Sequence, residues 1–525
     1  NNWYRFHIKT LSDRLVEVDV HRPSLHDLGE YLHVGDFELE FMSLKAPLVL
    51  FILDQRMSKI PGSSGIVRVI SQLVSNANIN TTIETTSLSE ADFRKACEKK
   101  SQYRPDELWE QWVHGAGCPK LSVKQRFNKK NLNVDITITQ VQAKDSSQPK
   151  AITKDVFQRE LFEEVHEVWA GPVPTYFTGP ITIRVHEADG TPYEHYLSIS
   201  DKDKGHTQLQ IAYNTKYKRM KRTKKAIMAA AAASTGDKHD IQEDDIVYFN
   251  MLGDVLMSPQ DAIDWGLQDW SESVQQQMDQ ESYEWIRFDC NFEWLCALHS
   301  DMPGYMYSAQ LQQDRDVVAH QDAMLFFSKQ RHHAVTSTID VRTVMDRRYF
   351  YGIRVMAAHD LTKQANPDLN CIGKANLILL YRQFFCDKVI GKNGQVTYPP
   401  APNDFYDKAQ YEVQCAIPQA IARIRENGFC PRDARRFLLD LLVLNAETEG
   451  EYSDHFYICK LLQALTTSII PEKYTGETDL LSSLRSDDPV ESELKDFIKA
   501  VLDEIEKYRR KDEWELTWHN IWTTT

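Results

Sequence analysis

The hydrophobic period of this chain changes twice, and the changes divide it. Up to about residue 120 apolar positions recur three and four apart. Phe51, Ile52 and Met57 share one helical face that Pro61 and Gly62 interrupt, and Ile66, Val69, Ile70, Leu73 and Val74 make a second stripe. Ser89 followed by Asp92 predicts a capped helix start, with aspartate where glutamate is preferred. Leu108, Trp109 and Trp112 continue at helical spacing, and Gly115 and Gly117 are expected to end that helix.

The period then falls to two. Leu132, Val134, Ile136 and Ile138 alternate with Asn133, Asp135, Thr137 and Thr139, as in a strand with one buried and one wet face. Ile181, Ile183 and Val185 oppose Thr182, Arg184 and His186. Asp189-Gly190 offers a tight turn, and Tyr193, His195, Leu197 and Ile199 return as the second strand of a hairpin. Between Val141 and Gly179 an insertion carries helical spacing at Phe157, Leu161, Val165 and Val168, fitting a docking segment or a surface decoration.

From about Asp261 the pattern is helical again, in units of roughly 35 to 45 residues. Phe350, Ile353, Ala357 and Leu361 form one stripe, and Phe437, Leu438, Leu441, Leu442 and Leu444 another. Leu494, Phe497, Ile498, Val501, Leu502 and Ile505 form the cleanest. No such helix buries its stripe alone, so neighbours must stack. The expectation is a multidomain α+β chain: a helical part over 1–120, an antiparallel β-sandwich with a helical insertion and a basic loop over 121–255, and an α-solenoid of HEAT/ARM type over 256–525. A length of 525 residues agrees with three or four domains.

Composition narrows the class. Apolar residues make up 42% and charged residues 26%, as in ordinary globular proteins, and no apolar run approaches the roughly 20 residues that span a bilayer. The chain begins at Asn1 without methionine and reads as a fragment. Nine cysteines are scattered with no C-x-x-C, which fits a reducing compartment and leaves neither a disulfide framework nor a zinc ribbon.

Charge is distributed unevenly. The net charge is −15, yet residues 205–236 contain no Asp or Glu, and Lys216, Lys218, Arg219, Lys221, Arg222, Lys224 and Lys225 fall within ten residues. A low-complexity run, Ala229 to Ala233, follows, and then Asp237, Asp240, Glu243, Asp244 and Asp245. Such a segment reads as a solvated loop, a nuclear localisation signal or a contact to the phosphate backbone. It carries neither serial aromatics nor a groove-reading helix, so any DNA contact would follow charge and shape more than sequence.

Catalytic motifs are wanting. A peptidase zinc site needs two histidines four apart on a helix, with a glutamate as general base. His166-Glu167 and His186-Glu187 lack the second histidine. His26 and Glu30 share a helical face, and the adjacent rings of His332 and His333 point apart. All four read as structural or surface polar groups. No catalytic residue, metal ligand or cofactor is expected.

Two resemblances complete the reading. The turn Trp112, Gly115, Gly117, Pro119 between a helical part and a sheet, the segment Lys45 to Met57, and SLSEADFRKACEKKSQ resemble the gluzincin zinc aminopeptidases, whose thermolysin-like domain would end near residue 120. The opening NNWYRFHI, the strand GPITIRVHEADG, the run YKRMKRTKK and the stretch YEWIRFDCNFEWLCALHSDMPGYMYSAQLQQDRDVVAHQDAM resemble a non-catalytic branch, the TBP-associated factor 2 family of TFIID subunits. That resemblance implies a nuclear, non-enzymatic scaffold supporting core promoter recognition and RNA polymerase II preinitiation complex assembly. Its implied partners are other TFIID subunits, in particular TBP-associated factors 1 and 8, and core promoter duplex DNA met through Lys216 to Lys225, with no membrane and no small-molecule substrate. The alternatives are an active zinc aminopeptidase whose motif lies upstream of Asn1, and a generic solenoid adaptor.

Overall fold

The computed structural model describes residues 2–20, 22–30, 35–63, 65–79, 88–142, 161, 171–187, 192–213, 251–278, 280–330, 333–391, 394, 396–426, 428–445, 454–470 and 489–514. It divides into two compact units, residues 1–238 with 277–310 and residues 239–276 with 311–525.

The first unit opens with six helices: α1 (Asn2–Val18), α2 (Leu25–Glu30), α3 (Asp36–Ser58), α4 (Ile66–Ile79), α5 (Glu90–Ser101) and α6 (Asp106–Trp112). The longest, α3, buries Phe41, Leu48, Val49, Ile52, Leu53 and Met57, spaced to cover one broad face, and packs against α1, α2 and α4. The Ser89 hydroxyl accepts the Asp92 N–H at 3.2 Å and fixes the start of α5, as the sequence predicts. The α6 helix ends at Trp112, before either expected glycine. Its last N–H bonds run from Val113 and His114 to the Trp109 carbonyl, and the fully buried Trp112 ring packs on Phe177 with centroids 4.5 Å apart. Gly117 then takes φ +78°, a backbone suited to glycine, as the chain turns into the sheets.

Two sheets follow. One has the order β5-β2-β1-β7, built from β1 (Lys120–Asn128), β2 (Asn133–Val141), β5 (His206–Ala212) and β7 (Ala297–Ser300). The other has the order β4-β3-β6, from β3 (Gly179–His186), β4 (Pro192–Ile199) and β6 (Trp285–Phe288). Every pairing is antiparallel except β1 with β7, which run parallel with Lys120 opposite Ala297. Leu121, Val123, Val134, Ile136, Ile138 and Ile211 are buried in the first sheet; Ile181, Ile183, Val185, Trp285, Ile286 and Phe288 in the second.

Four readings of the sequence need correction. Leu132 lies in the β1–β2 turn at φ +53° and 44% exposed, outside the strand whose period it matches, and its carbonyl accepts the Tyr213 N–H at 2.7 Å. On β3 Thr182 and His186 are buried as well as the isoleucines, because both faces of this central strand are covered. In α4 only Ile66 and Val69 of the expected stripe are buried, whereas Ile70 and Val74 stand 45% and 55% exposed. The stretch after Asp261 is not helical throughout. All four residues of β6 are buried, and a strand covered on both faces shows no alternation to read. The Asp189-Gly190 turn, residues 143–160 and 162–170 of the insertion between Val141 and Gly179, and the alanine run lie outside the described residues.

The second unit is a helical repeat. It contains α7 (Pro259–Asp264), α10 (Val317–Lys329), α11 (Ala334–Met345), α12 (Tyr351–Asp360), α13 (Ile372–Phe385), a small hairpin of β8 (Val389–Ile390) and β9 (Val396–Thr397), then α14 (Lys408–Ala422), α15 (Arg432–Val443), α16 (His455–Ile469) and α17 (Pro489–Trp514). The helices α8 (Glu272–Met278) and α9 (Gly304–Gln313) contribute residues to both units. Packing follows a ladder. The α10, α12, α14 and α16 helices contact one another in series, while α11 packs on α12 and α13, α13 on α14, and α15 on α14 and α16. Ile353, Ala357 and Leu361 of the predicted stripe are fully buried, and so are Val413, Ile417, Ile421, Leu438 and Leu465. Two predicted stripes are only partly covered: Leu444, at the end of the α15 stripe, is 54% exposed, and the α17 stripe is mixed. Val501 is buried, but Leu502 is 57% exposed.

Close approach fixes one joint of the ladder. A Cβ on Gly373, at the start of α13, would lie 2.1 Å from the Leu361 carbonyl oxygen and 2.8 Å from the Ala365 nitrogen, both backbone atoms. Gly373→Ala is therefore expected to destabilise the helical unit by about 1–3 kcal/mol or more through overpacking. A urea melt checks this, and a midpoint unchanged by the substitution would contradict the tight joint.

Candidate functional site

The polar chemistry of the first unit concentrates where α3 meets the sheets. Lys59 caps the C-terminus of α3, where a cation is favoured by the helix dipole, and Arg56 stands one turn before it. Both reach the segment Asp289 to Trp294. The Arg56 guanidinium donates to the Glu293 carbonyl oxygen through Nε at 3.3 Å and Nη2 at 3.0 Å, and lies 5.8 Å over the Trp294 ring. The Lys59 ammonium pairs with the Glu293 carboxylate, which is fully buried, and donates to the Thr182 hydroxyl at 2.6 Å; that hydroxyl in turn donates to Glu293 Oε1 at 2.6 Å. Burial pulls the Lys59 ammonium below its ordinary range, and the nearby carboxylates of Asp289 and Glu194 pull it back.

The backbone is shaped to admit these groups. Gly179 sits at φ +145°, and a Cβ there would fall 2.7 Å from Arg56 Nη2. Asp289 and Phe292 take φ of +51° and +54°, folding the segment so that the Asp289 carboxylate accepts the N–H groups of Glu293 at 2.7 Å and Trp294 at 3.2 Å. Trp294 closes the far side by donating its indole N–H to the Pro180 carbonyl at 2.7 Å.

A second buried pair fixes the turn into β1. Lys45 Nζ and Asp19 Oδ2 are 2.9 Å apart with neither side chain exposed; the angle falls short of a hydrogen bond, so the attraction is Coulombic. Asp19 also accepts the Gly117 N–H at 3.2 Å and the Cys118 thiol at 3.4 Å, and burial pushes that thiol well above its ordinary range. Such pairs hold structure. Their charges are closed from water and matched to one another, and removing one partner of a buried pair typically costs about 3–5 kcal/mol.

The candidate residues of the sequence fall in several places. Lys216, Lys218, Arg219, Lys221, Arg222, Lys224 and Lys225 lie outside the described residues, as do His166, Glu167 and His332. His186 is buried, stacked on Trp285 at 4.4 Å with planes 17° apart, and Glu187 beside it is buried too. His333 caps α11 by accepting the Val335 N–H at 3.1 Å. His26 does more than pair with its helical neighbour. Besides Glu30 at 3.5 Å it meets Glu90 at 3.3 Å, and Glu90 also meets His114 at 3.2 Å. Sequence reasoning missed the Arg56, Lys59, Glu293 junction, although a lone acid among aromatics in Phe292-Glu293-Trp294 and a cation at the end of an apolar helix are the signals that buried partners leave.

A sheet domain followed by helical repeats agrees with the two family descriptions that match the chain. Residues 116–303 match the TAF2 Ig-like domain, and residues 304–523 match the TAF2-like TPR repeats. The chain is 37% identical over its whole length to Transcription initiation factor TFIID subunit 2 of Schizosaccharomyces pombe and 34% identical over 88% of its length to the Saccharomyces cerevisiae protein of that name. The Drosophila melanogaster protein of the same name matches at 25% over 82%. The chain belongs to the TFIID subunit 2 family. It spans 43% of the Schizosaccharomyces pombe relative and 33% of the Saccharomyces cerevisiae one. Among solved structures, Legionella pneumophila aminopeptidase A in complex with aspartic acid covers 91% of this chain and 42% of its own at TM-score 0.44 and 8% identity, a likeness too slight to carry an argument.

Burial pushes the Asp289 carboxyl from 3.8 up to about 8, against the pull of the Trp294 N–H, Arg56 and Lys59. A carboxyl raised by folding contributes stability that is fully present below pH 3.8, is eroded as the unfolded chain ionises, and is gone above about pH 8. Relative to Asp289→Asn, the wild-type melting temperature is expected to fall more steeply across that window. Parallel curves for the two proteins would show that Asp289 does not titrate there.

Proposed function

We propose that this chain is the non-enzymatic scaffold portion of a TFIID subunit, supporting core promoter recognition and RNA polymerase II preinitiation complex assembly in the nucleus. The observation that carries this reading is the pair of adjoining TAF2 family matches over 116–303 and 304–523, together with full-length similarity to a relative named as a TFIID subunit. In this reading residues 1–120 are the C-terminal part of a thermolysin-like helical domain, the sheets are the layers of a β-sandwich, and the helical repeat from about residue 256 is a HEAT/ARM-type solenoid offering surface to other TFIID subunits, TBP-associated factors 1 and 8 among them. The charges described above support it, because the buried ones are occupied in holding elements together.

Duplex DNA is assigned to Lys216, Lys218, Arg219, Lys221, Arg222, Lys224 and Lys225. Replacing Lys221, Arg222, Lys224 and Lys225 with alanine should weaken binding to promoter duplexes of different sequence alike, and should lower the slope of log K against log salt by about 0.9 for each phosphate that is no longer neutralised. A salt titration by fluorescence anisotropy measures it. An unchanged slope would remove DNA from this segment while leaving the scaffold role standing, and that role fails separately if the full-length protein releases N-terminal residues from peptides in a chelator-sensitive way.

A further inference from the structure

Among the described residues one group of three metal-type ligands comes together, and it lies away from the buried junction of α3. His26 is on α2, Glu90 is the first residue of α5, and His114 follows the end of α6. Their ligand atoms lie within 4.8 Å of one another. Local backbone structure holds all three in place. The His26 N–H donates to the Val113 carbonyl at 3.0 Å, which ties α2 to the residue before His114, and the Ser89 cap fixes the turn of α5 that carries Glu90. The two imidazoles pack with centroids 4.3 Å apart. All three side chains are about one-third exposed, open enough for an ion to enter.

The distances suit a tetrahedral ion. Zinc bonds to nitrogen and oxygen of about 2.0–2.2 Å imply ligand-to-ligand edges of about 3.3–3.5 Å. His26 Nδ1 to Glu90 Oε2 is 3.3 Å, and His114 Nε2 to Glu90 Oε1 is 3.2 Å, so the two histidines face the two oxygens of one carboxylate, and one ligand atom from each residue lies within 4.8 Å of the others. Hydrogen bonds would give similar lengths; what singles the group out is that three ligand atoms from separate elements converge, with Glu30 beside them. The Glu30 carboxylate stands 3.5 Å from Nε2 of His26, the nitrogen turned away from the cluster. A carboxylate on the outer nitrogen of a metal-bound histidine is the usual device for setting its tautomer.

We propose that His26, His114 and Glu90 bind a borderline divalent cation of the Zn²⁺ class, with Glu30 orienting His26 and water completing the coordination. Two imidazoles and a carboxylate suit zinc better than the hard ions magnesium or calcium. The ligands come from three separate elements, so the ion would clasp α2, α5 and the turn after α6. The H-E-x-x-H helix of the zinc peptidases has both histidines on one element.

The test is zinc titration of the EDTA-stripped full chain by calorimetry, with melting temperature measured in parallel. One equivalent is expected to bind and to raise the melting temperature as RT ln(1 + [Zn]/Kd) requires. His114→Gln and Glu90→Gln should each weaken binding at least tenfold and abolish that rise while melting normally without zinc; Glu30→Gln should lose about tenfold. Cobalt replaces zinc to identify the ligands. A cobalt spectrum without thiolate charge-transfer bands supports the site, whereas thiolate bands would assign the ion to cysteines and overturn it. Equal zinc affinity in wild type and both ligand variants, or no binding by the wild type, overturns it as well. The outcome in which His26 is an imidazolium bridging Glu30 and Glu90 is recognised by the absence of zinc binding, and counts against the proposal.

Discussion

The Glu293 carboxylate is the constraint on which the first unit turns. It is fully buried, and an ion in that position is tolerated only if its charge is matched; Oε1 is engaged, while Oε2 has no hydrogen-bond partner among the described residues. Lys59 supplies the charge and Thr182 a hydroxyl, while Arg56 occupies the carbonyl of the same residue. These partners lie on α3 and β3, whereas Glu293 lies between β6 and β7. One side chain therefore ties the helical part of the unit to both sheets. The left-handed residues Asp289 and Phe292 follow from this requirement, since the chain must reverse tightly to bring Glu293 inward, and glycine at 179 follows because any larger residue would displace Arg56.

How much of this is legible in the sequence depends on whether an interaction is local. The helices α3 to α6, the strand β2, the β3–β4 hairpin and the helices α12, α15 and α17 are visible, because each is announced by a period of side chains a few residues apart. The cap at Ser89 is visible for the same reason. Leu132 fits the period and is still in the turn, since a two-residue rhythm does not say where a strand begins. The strand β6 is invisible because residues buried on both faces lose the rhythm, β7 because four residues are too few to show one, and their partners β3 and β1 lie about a hundred residues or more upstream. The junction of Arg56 and Lys59 with Glu293 and the meeting of His26 with Glu90 and His114 are likewise long-range. Sequence shows the residue types but not the approach.

Apolar stripes report on packing with a similar limit. Three of the four residues of the α12 stripe are fully buried, while the stripes on α4 and α17, read with equal clarity, are buried only in part. Periodicity establishes that a helix is amphipathic. It does not establish that the described residues supply enough neighbours to cover it. In a ladder of stacked helices each interior member is covered on both sides, as α12 is by α10 and α14, whereas α17 meets chiefly α16.

The same chemical pairing, an acid with nitrogen bases, meets two different fates in this unit, and solvent access separates them. At Glu293 the carboxylate itself is closed from water, although Lys59 is 27% exposed, so disrupting the pairing leaves an uncompensated buried charge. At Glu90 the groups remain about one-third exposed, so a proton, an ion or water can exchange among them without unfolding the surroundings. The first arrangement can only support. The second can respond to what the solution contains, and it does so at a point where α2, α5 and the turn leading from α6 toward the sheets converge. A cation held there would act on the same passage that Asp19 fixes from inside by accepting the Gly117 N–H, so that one turn is held by a permanent buried charge on one side and by an exchangeable site on the other.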